Sequence, residues 1–377
     1  MIDLLVIQPT PFCNINCSYC YLADRDNKDK INEDTIGLIA DRVIESKLYD
    51  KKITVVWHAG EPMVIPVDYF ARLIEIINSK FKANGIETEH SIQTNGTLIS
   101  QKWCDVINKF NIKIGISIDG PDFIHDHNRK TRNGKGTFQS VMKGIKLLQE
   151  NNIRYHGIAV ISKISLMFPE EIFSFFYDNG FYHVGLNIEE LEGIHTSSSL
   201  YKEDEYSQIY TFYQALFNKY INSDNRMIIR EFDYSLNSIL RNPNVMDIRK
   251  IDIQSHQVVP HGIISIDYLG NYSTFSPELL GQKSDVYNNF IWGNVTDSGF
   301  KKPKWRKQFN AISKEISSGV KKCKKECSFF SVCGGGAPAN KYYENNSFNS
   351  TETNYCRYTI QVPTSIVLSY LEEKLFN

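Results

Sequence analysis

The sequence predicts an α/β fold: a partial TIM-type (β/α)6 barrel of parallel strands, followed by a cysteine-rich C-terminal domain. Residues 1–190 alternate short β-type runs with amphipathic helical stretches, the pattern of parallel βα units. Polar and glycine-rich segments follow the strands, where a parallel barrel forms its active-site mouth. Seven of the eight cysteines fall in two groups, one near each end of the chain.

The elements are predicted in order from their periodicity. Asn32 can cap a first helix, which has Glu33 in its first turn. Phe70, Leu73 and Ile77 form the apolar stripe of the next helix. The predicted strands span residues 4–7, 53–57, 90–94, 112–118, 153–161 and 182–188, and later helices span 98–110, 137–148, 169–178, 203–220 and 231–240. A β-hairpin is predicted at 263–275 around Gly270, and a further helix at 305–316.

Composition narrows the class of protein. With 377 residues and 42% hydrophobic content, the chain can bury a barrel core and carry an appended domain. Lys and Arg total 42 against 43 for Asp and Glu, so no overall field favours a nucleic acid or an anionic membrane as partner. No segment approaches the about 20 apolar residues of a membrane span. We therefore expect a cytoplasmic protein, in which clustered cysteines indicate iron or zinc rather than disulfides.

Cys13, Cys17 and Cys20 form a CxxxCxxC motif directly after the first predicted strand. Three thiolates are one too few for a closed zinc site. An iron–sulfur cluster with three cysteine ligands keeps one iron open to a small molecule. A loop of reduced thiols or half of a zinc knuckle is the alternative interpretation. Cys104 stands apart on an apolar helix face and is predicted to be a core residue.

Three more polar segments follow predicted strands, at residues 58–62, 93–96 and 117–121. Ordinary βα turns use the same residue types. However, strand ends in a parallel barrel share one mouth, so all three segments should converge on the cysteine loop. The sequence therefore predicts one composite site there.

These motifs resemble the radical S-adenosylmethionine (SAM) superfamily. The resemblance implies that Cys13, Cys17 and Cys20 hold a 4Fe–4S cluster whose open iron binds SAM, and that a flavodoxin- or ferredoxin-type reductant supplies the electron. It also implies cleavage to a 5′-deoxyadenosyl radical, which must be shielded from water. Matching positions imply SAM contacts at Tyr19, Ala59, Gly60, Glu61, Pro62, Gln93, Asn95, Ser117, Arg129 and Ile158. Ala59 stands where a second glycine is commoner.

Cys323, Cys327, Cys333 and Cys356 form the second group. Their spacing alone fits either a four-cysteine zinc site or a fully ligated iron–sulfur cluster. The region resembles the SPASM domain of peptide maturases, which implies an auxiliary 4Fe–4S cluster. Two cysteines of the SPASM pattern are missing here. Phe275 stands where a cysteine is expected after the hairpin glycine, and Ala337 where one is expected after the three glycines. We therefore expect one auxiliary cluster. The predicted domains are 1–235 (barrel), 236–300 (bridging region with the hairpin) and 301–377 (SPASM-like).

Within that class the chain is most similar to the cyclophane-forming (GrrM-like) maturases. The similarity rests on residues 8–13, 57–62, 273–279 and 333–338. It implies that a β-carbon is joined to an aromatic ring carbon in a ribosomally synthesised precursor peptide. Such a reaction needs a base, for which Glu278 is the candidate; a surface carboxylate is the alternative interpretation of Glu278.

Other activities stay open at this point. Anaerobic sulfatase-maturating enzymes, which make formylglycine, carry a Cys-Asp pair where this chain has Phe275 and Ser276. A thioether-forming or epimerising maturase and a non-catalytic regulator with clusters are further alternatives. Because the first strand begins near residue 3, we expect the peptide leader to bind a separate protein or a groove between the two domains.

Overall fold

The centre of the fold is a ten-stranded sheet, counted over the residues that the computed structural model describes, which are 1–201, 205–240, 254–297 and 299–376. The strand order is β12-β11-β10-β1-β3-β4-β5-β7-β8-β9. These strands are β1 (Ile2–Ile7), β3 (Tyr49–Trp57), β4 (Glu87–Thr94), β5 (Lys113–Ser117), β7 (Tyr155–Ile161), β8 (His183–Ile188), β9 (Ile228–Ile229), β10 (Ile263–Ile266), β11 (Asn271–Thr274) and β12 (Gly293–Asn294). A separate two-stranded sheet pairs β2 (Ile15–Cys17) with β6 (Arg129–Thr131).

The six predicted strands are β1, β3, β4, β5, β7 and β8, and consecutive members pair in parallel. Leu5 pairs with Val55, Val55 with His90, and Ile116 with Gly157. Many of their apolar side chains are fully buried, as expected of strands covered by helices. The predicted fold class is confirmed.

Twelve α-helices are present in the described part of the chain. They are α1 (Glu33–Ser46), α2 (Val67–Ala83), α3 (Gln101–Phe110), α4 (Asp122–Asn128), α5 (Phe138–Glu150), α6 (Pro169–Asp178), α7 (Glu205–Ile221), α8 (Arg230–Leu240), α9 (Arg306–Glu326), α10 (Phe330–Cys333), α11 (Pro338–Asn345) and α12 (Val362–Phe376). A π-helix, Cys356–Gln361, leads into α12. The helix predicted at 203–220 is described from Glu205 onwards, and residues 203 and 204 lie outside the described residues.

The ends of the elements follow local chemistry. The Asn32 side chain accepts the backbone N–H of Thr35 at 2.7 Å and caps α1, as predicted. Cys104 is fully buried on α3, which confirms its predicted place in the core. None of the helices in the described ranges is long and apolar enough to cross a membrane.

The predicted hairpin is β10 and β11, and it joins the barrel sheet. β10 pairs in parallel with β1, with Leu4 opposite Ile263, and β11 returns antiparallel. Gly270 turns the hairpin at a φ of +83°, in the left-handed region that glycine tolerates. The hairpin therefore continues the barrel sheet, and it anchors the chain that follows to the barrel. At the C-terminus, α12 packs against α7 and α8.

Candidate active site

The N-terminal cysteine loop is shaped by the small β2–β6 sheet. Cys17 lies opposite Arg129 in that antiparallel pair. The backbone N–H of Ser18 also donates to the carbonyl of Asn128 at 3.0 Å. The loop between β1 and α1 is thus held against the segment that carries Arg129, which explains how residues far apart in sequence meet.

The thiols of Cys13, Cys17 and Cys20 lie close enough together for their charges to interact. Burial, and next the Glu61 carboxylate, raises the pKa of Cys13 to about 12. Burial raises the pKa of Cys17 to about 11, and Arg129 offsets part of that rise. Cys13 and Cys17 both lie close enough to Cys20 that a charge on Cys20 raises their pKa values further. A coordinated thiol ionises outright, so Cys13, Cys17 and Cys20 would hold an iron–sulfur cluster as thiolates, and this donor set fits such a cluster.

The turn after β3 packs tightly on the cysteine loop. A Cβ added to Gly60 would lie 2.4 Å from the carbonyl oxygen of Thr10 and 2.7 Å from that of Phe12. Gly60 has a φ of +58° and Ala59 a φ of +70°, so both adopt the left-handed conformation. The turn is formed with Ala59 in place of the commoner glycine, at the cost of strain at that residue.

Glu61 is buried and connects the ends of β3 and β4 through hydrogen bonds. Its carboxylate accepts the backbone N–H of Met63 at 2.9 Å, the hydroxyl of Thr94 at 2.7 Å and the backbone N–H of Asn95 at 2.7 Å. Burial raises the pKa of Glu61, and these three hydrogen bonds oppose the rise. Since both oxygens are engaged by the protein, the Glu61 side chain positions the ends of β3 and β4. Its contact with SAM stays a prediction.

The other predicted SAM contacts gather around the same loop. The Gln93 amide donates to the Ser117 hydroxyl at 2.8 Å. Asn95 donates to the Asn14 amide oxygen at 2.8 Å and lies 3.8 Å from the Cys13 sulfur. Ile158 of β7 pairs with Ser117 of β5. The strand ends thus converge on the cysteine loop, as expected of parallel strands.

Asp119 joins two of the predicted contacts, and sequence reasoning had treated it only as part of a turn. Its carboxylate accepts the Tyr19 hydroxyl at 2.5 Å, the Arg129 Nε at 3.0 Å and the backbone N–H of Val160 at 3.0 Å. Arg129 lies over the Tyr19 ring and 4.0 Å from the Cys17 sulfur. Asp119 is fully buried, so this network fixes a positive charge beside the cysteine loop.

The second cysteine group lines a cavity of about 640 Å³. All four of its members, Cys323, Cys327, Cys333 and Cys356, are in the wall. Burial, and next the charges of Cys333, Cys327 and Cys323, raise the pKa of Cys356 to about 12, so the four thiols lie close together. The Lys341 ammonium is buried 3.4 Å from the Cys323 sulfur. Four thiols around one space, with a buried ammonium beside one of them, fit a fully ligated cluster.

No three His, Cys, Asp or Glu side chains within the described ranges are placed to hold a single metal ion. The four cysteines instead surround a space. Phe275, at one position of a missing thiol, and Ser276, at the Asp position of the Cys-Asp pair, both make contacts within the protein. Phe275 is buried and stacks on Phe309 with 6.2 Å between the ring centres. Ser276 donates to the Gln257 amide oxygen at 2.7 Å and accepts the backbone N–H of Ala339 at 3.2 Å.

Six glutamates line the same cavity as the cysteines, and we call three of them, Glu190, Glu192 and Glu278, the acidic chamber. Burial raises the pKa of Glu190 to about 8, although the Asn340 amide donates to it at 2.5 Å. Burial and the charge of Glu190 raise the pKa of Glu192, and burial raises that of Glu278. Glu278, the predicted base, is thus a cavity residue. Sequence reasoning missed Glu190 and Glu192, although both directly follow β8.

Comparison with known proteins agrees with this geometry. A profile of the radical SAM superfamily matches residues 7–176. An uncharacterized protein of Synechocystis sp. is 39% identical, over 99% of this chain and 93% of its own. The chain belongs to the radical SAM superfamily. Among other relatives, the serine-type anaerobic sulfatase-maturating enzyme of Bacteroides thetaiotaomicron is 25% identical over 88% of this chain and 81% of its own.

Solved structures share the fold of this radical SAM enzyme. Native anSMEcpe with bound AdoMet superimposes with a TM-score of 0.77 at 22% identity, covering 99% of both chains. SuiB of Streptococcus suis bound to S-adenosylmethionine gives 0.63 at 15% identity, over 94% of this chain and 77% of that one. The cofactors of a radical SAM enzyme are SAM and a 4Fe–4S cluster, so these predicted cofactors are confirmed, and the fold matches to the end of the cysteine-rich domain.

Proposed function

We propose that this radical SAM enzyme is a peptide maturase that forms a cyclophane. It would join the β-carbon of one residue to an aromatic ring carbon of a nearby residue in a ribosomally synthesised precursor peptide. The observation that carries the proposal is the cavity of about 640 Å³, because its wall contains both the four C-terminal cysteines and the Glu278 carboxylate. An electron acceptor and a base would therefore face one space.

The residues divide between two cofactor sites. Cys13, Cys17 and Cys20 would hold the cluster that binds SAM, within the predicted barrel of residues 1–235. Cys323, Cys327, Cys333 and Cys356 would hold one auxiliary 4Fe–4S cluster, chiefly within the SPASM-like segment 301–377, and residues 236–300 would bridge the two. When bound, these groups supply hydrogen-atom abstraction from an unactivated carbon and an electron acceptor, and a flavodoxin- or ferredoxin-type protein would supply the reducing electron.

Glu278 would take the proton. Forming the new carbon–carbon bond removes one hydrogen from the β-carbon, as an atom, and one from the ring, as a proton and an electron. Burial raises the pKa of Glu278, which makes its carboxylate a stronger base than an exposed glutamate. Glu278 lies in the wall of the cavity that, in this proposal, receives the peptide side chain.

Sulfatase maturation is the second candidate, because named relatives at 25% identity are anaerobic sulfatase-maturating enzymes. What weighs against it is the chemistry of the site: Phe275 is packed on Phe309, and the Ser276 hydroxyl is bound to Gln257. Neither residue supplies a carboxylate. A base at that position would have to come from Glu278.

The test uses anaerobically reconstituted enzyme with SAM, dithionite and two sets of peptides. One set is the precursor peptides encoded beside the gene, and the other carries a sulfatase-type Ser or Cys. Cyclophane formation removes two hydrogen atoms from the peptide. The product carries a crosslink that resists fragmentation in the mass spectrometer and does not react with aminooxy reagents. A product that reacts with an aminooxy probe is formylglycine and overturns the cyclophane proposal.

A matched variant tests the role of Glu278. In Glu278→Gln we expect 5′-deoxyadenosine release to continue while crosslinked product falls by about a hundredfold, since general-base catalysis contributes at least that much. Exposed Glu150 of α5 provides the control, as Glu150→Gln should leave the product yield unchanged. Equal crosslinking by Glu278→Gln and wild type would remove Glu278 from the mechanism.

A further inference from the structure

The acidic chamber gathers the carboxyl groups of Glu190, Glu192 and Glu278 in one cavity wall, where Glu190 and Glu192 hydrogen-bond to each other. The ion pairs nearest to it in the chain are His195 with Glu189 and Arg230 with Glu231. No described lysine, arginine or histidine forms an ion pair with any of the three chamber carboxylates. Burying carboxylates in this way is costly unless something pairs with them.

Three nitrogen donors in the cavity wall, those of Arg230, Lys341 and Asn340, already have acceptors in the protein. The Arg230 guanidinium donates to the Asn187 amide oxygen at 2.7 Å and to Glu231 Oε1 at 2.9 Å. The Lys341 ammonium lies on the Cys323 sulfur. The Asn340 amide donates to Glu190. These three side chains are thus held by acceptors of the protein itself.

Acceptors in the same cavity are still available. Glu231 begins α8 and lines the cavity, and only 4% of it is exposed. Its Oε1 accepts Arg230 and the backbone N–H of Leu186, whereas its Oε2 has no hydrogen-bond partner. Thr359 of the π-helix also lines the cavity, is 6% exposed, and has an unpartnered hydroxyl. Two buried polar atoms outside the chamber carboxylates thus lack partners.

Tyr355 lines the same cavity as Glu190, Glu231 and Glu278, so the unpartnered Glu231 oxygen and the chamber carboxylates belong to one cavity wall. The segment after β8 also reaches the SAM-cluster loop, because the backbone N–H of Ile194 donates to the carbonyl of Tyr21 at 3.3 Å. The chamber is therefore linked to the loop that carries Cys20.

We propose that the acidic chamber binds a cationic side chain, preferentially arginine, of the peptide that the enzyme modifies. A guanidinium carries donors only and keeps its charge, which complements carboxylates and an unpartnered Glu231 oxygen. Its planar fork also satisfies two acceptors at once, which a lysine ammonium does less well. This inference rests on the proposed peptide-modifying function and assigns the enzyme a substrate class: peptides with an arginine near the aromatic residue.

Binding can be measured without turnover. The probes are pairs of short fluorescent peptides with a phenylalanine and, at varied distance from it, either arginine or its neutral isostere citrulline. Fluorescence anisotropy is recorded anaerobically with the reconstituted holoenzyme and SAM. We expect at least one arginine peptide to bind about tenfold more tightly than its citrulline partner, the size of a modest charge pairing across an interface.

Variants assign that preference to the chamber. In the double variant Glu190→Gln/Glu192→Gln, arginine and citrulline peptides should bind with about equal affinity. In Glu150→Gln, on the exposed face of α5, the arginine peptide should still bind about tenfold more tightly. Absorbance of the clusters and circular dichroism verify that the variants are loaded and folded. Equal binding of arginine and citrulline in every pair, or an arginine preference unchanged in the double variant, overturns the inference.

The two proposals fail separately. If arginine peptides bind selectively but no peptide loses hydrogen, the cyclophane function is wrong and the cationic site stands. If a peptide is crosslinked equally well with arginine or citrulline in it, the function stands and the cationic site is wrong.

Discussion

Replacing Asp119 by asparagine should destabilise the protein through its buried ion pair with Arg129. Asp119 is 0% exposed and the Arg129 side chain 8% exposed, and their contact is 3.0 Å. The asparagine side chain keeps the shape but leaves the guanidinium without a countercharge beside Cys17, and breaking a buried pair in this way costs about 3–5 kcal/mol. For a chain of 377 residues the entropy of unfolding is about 0.8 kcal/mol per kelvin, so Tm should fall by about 4–6 °C.

The assay is anaerobic thermal unfolding of reconstituted protein. Its control is a second Asp–Arg pair on the same side of the molecule, Asp26 with Arg132, in which the Asp26 side chain is 90% exposed. Asp26→Asn should change Tm by less than about 1 °C because exposed pairs contribute little. Equal shifts for Asp119→Asn and Asp26→Asn would refute the reasoning that burial makes the Asp119 pair important.

Three further outcomes are expected. Burial lowers the pKa of His90 from 6.5 to about 4, so between these pH values the unfolded chain binds a proton at His90 and the folded chain does not. The free energy of unfolding should therefore fall as the pH drops from 6.5 to 4. In urea unfolding, His90→Gln should make this pH dependence less steep, whereas exposed His127→Gln should leave it unchanged. Glu61→Gln turns an amide N–H₂ towards a backbone or hydroxyl donor, which should lower the free energy of unfolding by about 1–3 kcal/mol in the same assay. An unchanged urea midpoint would contradict the role of Glu61 in holding the strand ends together. In iron analysis, Cys356→Ala should lose about half of the bound iron and Cys104→Ala none; full iron in Cys356→Ala would contradict a four-cysteine auxiliary site.

The barrel could be predicted because its signals are local. Each signal is contained in a short stretch of neighbouring residues: the strand and helix periods, the Asn32 cap and the polar segments after the strands. Regular pairing of parallel strands then brings those ends together. The cysteine motif and residues such as Gln93 and Ser117 were therefore identifiable as one site before their contacts were known.

The acidic chamber could not be predicted because its contacts are long-range. Glu190 meets Asn340 across 150 positions of the chain, and nothing near either residue indicates the partner. Asp119 was overlooked for a different reason, since an Asp-Gly-Pro sequence after a strand is ordinary turn chemistry. Only the burial of its carboxylate, and the convergence of Tyr19 and Arg129 on it, distinguish it from a turn residue.

The central claim is that Cys13, Cys17 and Cys20 hold a cluster with an open iron that binds SAM. The most direct measurement is 5′-deoxyadenosine release from anaerobically reconstituted protein after addition of SAM and dithionite. Wild type and Cys104→Ala should both release it, and Cys17→Ala should release none. Absence of 5′-deoxyadenosine in wild type, or equal release by Cys17→Ala, would contradict the account.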